Sequence, residues 1–425
     1  MPLSPDQLLR HSVVLVGAGA LTSALNYAYQ VLTARMLGPR DFGFLGPVLA
    51  LVASLRGIEQ PLQLSIAGFV STLQAESGAL SARPAIAWIS KRVVLVAFIG
   101  AMALAAGSPS AARAMQLPSA TPLLLVAAGI PLWWLWSALA GSLQGLQRFA
   151  ARGGVDAGGA AAKVVFGVVL IALGWGVAGA LVGSLLGAAT AVLGGRLAVR
   201  RLQNPPGGSP ETRGWGAKLA WSALPSGVAL VLLTLMYSVD VLAVGQYFPP
   251  QETGLYAASS TLAKAVLFIG LPVSYAMFPK VIARNAQGER EHARRLLMAC
   301  LAYTTALAGC GAALLSVLSG NVVQILLGSA YVDTSGVVPR LSIALVMVSV
   351  CQVLTLYELA VGRRQALLVL LVGFCLEVIG LVRFHGTLSA VADVVIAAAT
   401  AVLVGLACVV GIGWLRPAEK KESLG

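Results

Sequence analysis

Apolar runs of about 20 residues recur from one end of this chain to the other, separated by short polar punctuation. That length is what a helix needs to cross the hydrocarbon core of a bilayer. The pattern predicts twelve spans, over residues 11–34, 44–74, 88–107, 120–141, 156–174, 176–197, 217–246, 254–279, 296–318, 336–361, 365–383 and 391–414. The runs are continuous rather than alternating, so a transmembrane β-barrel is excluded. A split at Gly174–Gly176 separates the fifth and sixth spans, and Asn321–Leu327 is expected to be a re-entrant or interfacial piece. Composition agrees: 58% of the 425 residues are hydrophobic and 11% charged. A soluble domain carries about 25% charged residues, so too few remain here to cover a water-facing surface. The fold class expected is an all-α membrane protein with about 12 transmembrane helices. Met1–Arg10 holds Asp6 and Arg10 ahead of a long apolar segment, a pattern unlike a cleavable signal.

Charge placement sets an orientation. The net charge is +13, and the basic residues gather in alternate connections. Arg83, Lys91, Arg92, Arg148, Arg152, Arg196, Arg200, Arg201, Lys280, Arg363 and Arg364 fall on one side; Arg35, Arg40, Arg113, Arg340 and Arg383 fall on the other. By the positive-inside rule both termini are cytoplasmic, and the excess charge reflects membrane orientation, with no nucleic-acid partner. The long inner loop Arg196–Lys218 contains Asn204, Pro205, Pro206, Gly207, Gly208 and Pro210, which cannot continue a helix. It divides the chain into an N-terminal lobe (1–197), a cytoplasmic connection (198–216) and a C-terminal lobe with a short tail (217–425). The stretch Ala283–Arg295 reads as an amphipathic segment along the anionic leaflet.

The two halves echo one another. A single shift carries Pro39 onto Pro250, Asp41 onto Glu252, Gly43 onto Gly254 and Pro61 onto Pro272. Proline and glycine set backbone shape, so the coincidence predicts two pseudo-symmetric six-helix lobes. Secondary transporters are commonly built as such repeats around a midplane site. Gly179, Gly183 and Gly187 recur every four residues and predict close helix packing. Gly17-Ala18-Gly19 lacks the preceding strand and third glycine of a dinucleotide fingerprint and reads as packing too.

Enzymatic chemistry has little to stand on. No Walker A, H-E-x-x-H or G-x-S-x-G pattern occurs. His11, His292 and His385 sit at membrane edges. Cys300, Cys310, Cys351, Cys375 and Cys408 lie in apolar runs without metal-ligand spacing. No cofactor or metal is expected. The informative residues are ionisable groups inside apolar spans, where a charge costs roughly 2.5–3.5 kcal/mol. These are Arg56, Lys163 and Lys264, with Glu59, Asp240, Glu358 and Glu377. Arg56, Glu59, Gln60 and Gln63 form one polar stripe along the second helix. Asn26 and Gln30 lie one turn apart in the first helix, Tyr237 and Asp240 share a face in the seventh, and Ser260 and Lys264 share one in the eighth. The expectation is a hydrated cleft lined by those four helices. Arg56–Glu59 can equally be a local neutralising pair, and Glu358 and Glu377 can sit near span ends. Lys163 and Lys264 have no acid one turn away. Three basic groups at membrane depth point to an anionic cargo such as a phosphate or diphosphate headgroup.

The string ALTSALNYAYQVLTARMLGPRDFGFLGPVLAL resembles the opening of bacterial polysaccharide (O-antigen type) flippases of the multidrug/oligosaccharidyl-lipid/polysaccharide exporter superfamily. YSVDVLAVGQYFPPQETGLYAAS is similar to their seventh and eighth helices, VVQILLGSAYVDTSGVVPRLSIAL to the segment before their tenth, and GSLQGLQRFA to the end of their fourth. The resemblance implies a V-shaped, alternating-access bundle in the bacterial cytoplasmic (inner) membrane. Its cargo would be an undecaprenyl-diphosphate-linked oligosaccharide, its partners membrane lipids and polysaccharide polymerase or assembly proteins. Basic family cavities agree with Arg56, Lys163 and Lys264, and Arg35 is added to them as a headgroup contact. Asp240 matches the recurring acid of the seventh helix; it, Glu59 and Glu358 are candidates for ion coupling or for a structural role. The alternative is a cation-coupled multidrug exporter of the same superfamily, although no acid lies in the first helix. A ligase or polymerase would need a sizeable outer loop, and none occurs.

Overall fold

The computed structural model describes residues 5–77, 82–200 and 227–415, and every regular element among them is helical. In chain order these are α1 (Pro5–Arg56), α2 (Glu59–Ser77), α3 (Ala82–Ala114), α4 (Thr121–Gly145), α5 (Phe149–Leu170), a π-helical turn (Ile171–Trp175) and α6 (Gly176–Arg200). Then come α7 (Gly227–Met236), α8 (Val239–Tyr247), α9 (Pro250–Ala286), α10 (Arg290–Val317) and α11 (Ser319–Leu326). A 3₁₀ segment (Ser329–Gly336), α12 (Val337–Ala360), α13 (Gln365–Arg383) and α14 (Leu388–Leu415) complete the order. Most of the connection 198–216, the opening of the seventh span and the tail with Arg416, Lys420 and Lys421 lie outside the described residues.

Nine helical runs among the described residues are long and apolar enough to cross a membrane, and ten when the α7–α8 pair, bent by 41°, counts as one. Two runs are too long for one crossing: Gly17–Gln74 has 58 residues and Phe149–Arg200 has 52. At ~1.5 Å per residue each exceeds twice the ~30 Å core. Each holds two of the expected spans, which reconciles the runs with twelve crossings.

The first long run breaks at Gly38, whose φ of 74° and ψ of 171° lie in a region essentially reserved for glycine. Pro39 follows and fixes the direction of the continuing helix. We expect Gly38→Ala to cost about 1–3 kcal/mol of strain, read as a lower melting temperature of the purified protein. The second expected span is itself interrupted by a turn at Gly57–Ile58. Pro61, expected at mid-span, therefore sits in the first turn of α2, where a missing N–H costs nothing.

The described residues form two compact units. The first comprises those of Met1–Thr234, Val241–Leu262 and Gly320–Ser335. Its apolar core gathers Ile66 and Val70 of α2, Ile86 and Ile89 of α3, and Leu139 and Leu143 of α4. The glycine face of α6 lies against α5. A Cβ on Gly183 would stand 2.5 Å from the Gly167 nitrogen, and one on Gly187 2.6 Å from the Lys163 Cβ. The segment expected to be re-entrant or interfacial, Asn321–Leu327, falls in α11 apart from its last residue, and α11 docks with the following 3₁₀ turns on α1 beside the Gly38 break. The buried Tyr331 hydroxyl donates to the Ala34 carbonyl at 2.7 Å, and Arg35 Nη1 donates to the Ile325 carbonyl at 2.9 Å.

The echoed residues meet inside this unit. A Cβ on Gly43 would overlap the Pro250 carbonyl, and a Cβ on Gly254 would overlap the Pro39 carbonyl. The hypothetical Cβ atoms would also lie 3.1 Å from the Gly254 nitrogen and 2.9 Å from the Gly43 nitrogen. Under the shift that relates the halves, each of these contacts maps onto the other. The opening turns of α9 and the turns of α1 after its break thus pack backbone to backbone about a local two-fold relation.

The second unit comprises Leu235–Asp240, Ala263–Ser319 and the described part of Gly336–Gly425. Val266 of α9 packs with Ala308 and Ala312 of α10. The Cys351 thiol of α12 faces the Ala399 carbonyl of α14 at 3.9 Å. The basic stretch Ala283–Arg295 is divided between two helices. It is the end of α9, a turn at Gln287–Glu289 and the start of α10, because Gly288 adopts a φ of 77° that helix cannot continue through.

Candidate functional site

The best-defined ionisable site of the first unit is built on Lys163, midway along α5. Its Nζ donates to the Asn26 side-chain oxygen on α1 at 3.0 Å and stands 4.2 Å from the centre of the Tyr29 ring. The neighbours are placed by close packing. Tyr29 is buried, its hydroxyl donates to the Ala180 carbonyl of α6, and its ring covers Gly167. The Lys163 stem lies over Gly187. The small residues of α6 thus set the depth at which the ammonium sits. Both contacts of Nζ are neutral, an amide oxygen and an aromatic face, so the ammonium is oriented with no carboxylate against it.

Arg56 lies within electrostatic reach of Lys163. Its Nε donates to both Glu59 oxygens, at 3.0 and 3.1 Å, and its guanidinium stands 5.9 Å from the Trp133 ring centre. Glu59 is buried, whereas 44% of the Arg56 side chain is exposed. The pair is local, but one face of the guanidinium stays open. Ser137 of α4 donates to the Glu59 backbone carbonyl at 2.8 Å and fixes the first turn of α2.

Charge counting along the sequence placed Arg152 in a connection. It lies in the first turn of α5 instead and folds back into the unit. Its Nη1 donates to Gln144 Oε1 at 2.5 Å and its Nε lies 3.5 Å from Asp156, which accepts from Trp136 Nε1 at 3.0 Å. Gln63, the last residue of the polar stripe, joins the same Gln144 at 3.1 Å. The i, i+4 spacing of Arg152 and Asp156 was the available signal. Arg35 is not brought to this group. It is exposed beside the Gly38 break, roughly 13 Å along α1 from Asn26 at ~1.5 Å per residue.

In the second unit Lys264 is half-buried on α9, with Nζ 5.9 Å from the Tyr237 ring centre and in electrostatic reach of Asp240. Asp240, at the start of α8, is buried and also feels Glu377 of α13. Both Glu377 oxygens are buried without a hydrogen bond among the described residues. Lys264, Asp240 and Glu377 therefore form one electrostatic group. Glu358 does not join it. It lies near the C-terminal end of α12, wholly buried, with Arg363 Nη1 at 3.5 Å as its ion-pair partner. Among the described residues no three histidine, cysteine, aspartate or glutamate side chains are gathered as a metal site. Each unit thus presents a half-buried lysine over a tyrosine ring, and the arginines of the first unit extend its basic surface.

Comparison with known proteins gives this geometry a context. The chain is similar in fold to an inward-facing multidrug resistance MATE family transporter of the MOP superfamily, with a TM-score of 0.79 at 13% identity, covering 97% of this chain and 99% of that one. It is similar to the lipid II flippase MurJ in an inward closed conformation, with a TM-score of 0.71 at 14% identity over 94% of this chain and 87% of that one. A eukaryotic MATE transporter matches with a TM-score of 0.69 at 15% identity, over 95% and 96%. At such identities these likenesses establish the fold. No curated protein shows significant sequence similarity to the chain. The family model described as polysaccharide biosynthesis protein matches residues 32–336, which takes in the Lys163, Arg56 and Lys264 sites. This multi-pass membrane protein therefore belongs to the polysaccharide biosynthesis protein family.

Proposed function

We propose that the chain is a flippase that moves an undecaprenyl-diphosphate-linked oligosaccharide from the cytoplasmic to the outer leaflet of the bacterial inner membrane. In this reading both termini are cytoplasmic and the lobes, 1–197 and 217–425, alternate access to a hydrated site. The observation that carries it is Lys163: a membrane-depth ammonium held by neutral partners, beside Arg56, in a polysaccharide biosynthesis family chain. A half-buried cation at membrane depth without a compensating carboxylate is costly unless an anion arrives to meet it. A diphosphate supplies that anion and accepts charge-assisted hydrogen bonds. Lys163 and Arg56 are the principal headgroup contacts of the first unit, Lys264 is the candidate contact of the second, and Arg35 is the candidate near the Gly38 break of α1. The Arg152–Gln144–Gln63 network and the Trp133 and Trp136 rings suit the sugar that follows. Polymerase or assembly proteins would take the product. No residue in this scheme does covalent chemistry.

The alternative, a cation-coupled multidrug exporter, has one observation in its favour: the buried pair Asp240 and Glu377 in the second unit. Acids so placed also serve a flippase as the site where a coupling ion or proton binds, Asp240 in that role and Glu59 and Glu358 as structural partners of Arg56 and Arg363. Binding separates the readings. Native mass spectrometry of the purified protein should retain a polyprenyl-diphosphate disaccharide in preference to the matching polyprenyl monophosphate and to a cationic dye. Retention of the dye with indifference to the diphosphate would favour the exporter.

A further inference from the structure

One end of the second unit carries a cluster that the transport reading does not use. It is assembled around the last turn of α14. Arg294, in the first turns of α10, lays its guanidinium 4.1 Å from the Trp414 ring centre. Trp414 is held in turn by its indole N–H, which reaches the Tyr357 hydroxyl of α12 at 3.4 Å. On the neighbouring residue, Arg363 Nη2 donates to the Gly413 carbonyl at 2.7 Å, and its guanidinium fills the space a Cβ on Gly413 would need. Arg364 follows at the N-cap of α13 and is exposed. Three arginines thereby stand at one end of α10, α12, α13 and α14, and these contacts hold two of them, Arg294 and Arg363. Only Arg363 has a carboxylate within ion-pair distance among the described residues, the buried Glu358.

The surroundings fix the depth. Met298 lies one turn beyond Arg294 and Leu368 one turn beyond Arg364, and both are exposed, at 52% and 66%. Ile412, just before Trp414, is exposed at 51%. The arginines therefore stand one helical turn outside the lipid-facing apolar band, at the height of the headgroups. Trp414 at the same level is the residue type that anchors in that layer. The cluster is separate from Lys264, which lies roughly 33 Å along α9 from the end of that helix at Ala286, at ~1.5 Å per residue.

We propose that Arg294, Arg363 and Arg364 form a binding site for the phosphate of an anionic membrane phospholipid. Each guanidinium presents several N–H donors in a fork that matches a phosphate. Arg294 spends none of them on a protein acceptor among the described residues, since it meets Trp414 through its face. Stacking on Trp414 pre-orients it, and the Arg363 bond to Gly413 does the same for its neighbour. The acyl chains then lie along Met298, Leu368 and Ile412. The inference concerns a resident lipid and stands whether or not the cargo assignment above is correct.

The test uses the full-length protein, exchanged into nanodiscs of equal parts phosphatidylglycerol and phosphatidylcholine and released for native mass spectrometry. The wild type should retain phosphatidylglycerol over phosphatidylcholine by about tenfold, the scale of one charge-assisted contact. Arg294→Gln with Arg364→Gln should bring the ratio near one, while Arg294→Lys with Arg364→Lys keeps part of it. Arg113→Gln, an exposed arginine at the far end of α3, should leave the ratio unchanged. Equal retention of the two lipids by the wild type would overturn the proposal. So would an unchanged ratio in the double glutamine variant, or an equal fall in Arg113→Gln, which would reduce the effect to net charge. Arg294 and Arg364 are exposed, so their substitution spares the fold; a melting curve in detergent alone should not shift.

Discussion

Gly254→Ala and Gly43→Ala should each lower the melting temperature of the purified protein by several degrees and by similar amounts. The added methyl group would collide with a backbone carbonyl, Pro39 for Gly254 and Pro250 for Gly43. A backbone group cannot rotate aside as a side chain would, so relief requires the opening turns of α9 to move off α1. Overpacking of this kind costs roughly 1–3 kcal/mol. The matched size of the two effects is the sharper part of the expectation, because the two collisions are related by the same shift that relates the halves. Gly68→Ala and Gly100→Ala provide the contrast. Nothing lies within 4 Å of a Cβ at either position, and both are inside helices, where alanine is favoured by roughly 0.5–1 kcal/mol. Their melting temperatures should stay level or rise. A fall equal to that of Gly254→Ala would remove the special status of the α1–α9 contact.

Lys163→Ala should reduce retention of a polyprenyl-diphosphate disaccharide by roughly 10- to 100-fold, the worth of about 1.5–3 kcal/mol for a hydrogen bond to a charged group. The protein should remain folded, since the lysine contacts a half-buried amide and a ring face rather than a buried carboxylate. Gly187→Leu should reproduce the loss without touching the cation. A branched side chain there would push against the Lys163 stem at its Cβ and shift the ammonium off Asn26. Lys163→Arg would keep charge but overrun the distance to Asn26, and an intermediate loss is expected. Undiminished retention in Lys163→Ala would mean that this cation does not meet the headgroup.

Much of the scaffold was legible in the residues because bilayer thickness acts on sequence directly. Span lengths, the Gly38–Pro39 break and the glycine face of α6 each follow from one local rule. The echo of Pro39 and Gly43 in Pro250 and Gly254 was legible as a repeat, but that these residues touch was not. What escaped was tertiary. Lys163 and Asn26 were both visible as polar residues in apolar spans, but their hydrogen bond joins α5 to α1 and has no sequence signature. Arg152 was assigned to a connection because basic residues near span ends normally stay in water. Here Gln144 and Asp156 give it partners that draw it inward. Ala283–Arg295 read as an amphipathic segment, and the break within it went unseen because its mixture of charges does not report the backbone turn at Gly288.

The central claim is movement of a lipid-linked diphosphate across a bilayer with Lys163 in its path. Proteoliposomes holding the wild-type protein and a fluorescent polyprenyl-diphosphate disaccharide on one leaflet, with an ion or proton gradient imposed, test it directly. Accessibility of the label to a membrane-impermeant quencher should equilibrate between leaflets with the wild type and stay confined to one leaflet with Lys163→Ala reconstituted at the same level. Equal rates for the two proteins, or no movement above protein-free vesicles under any gradient, would contradict the account.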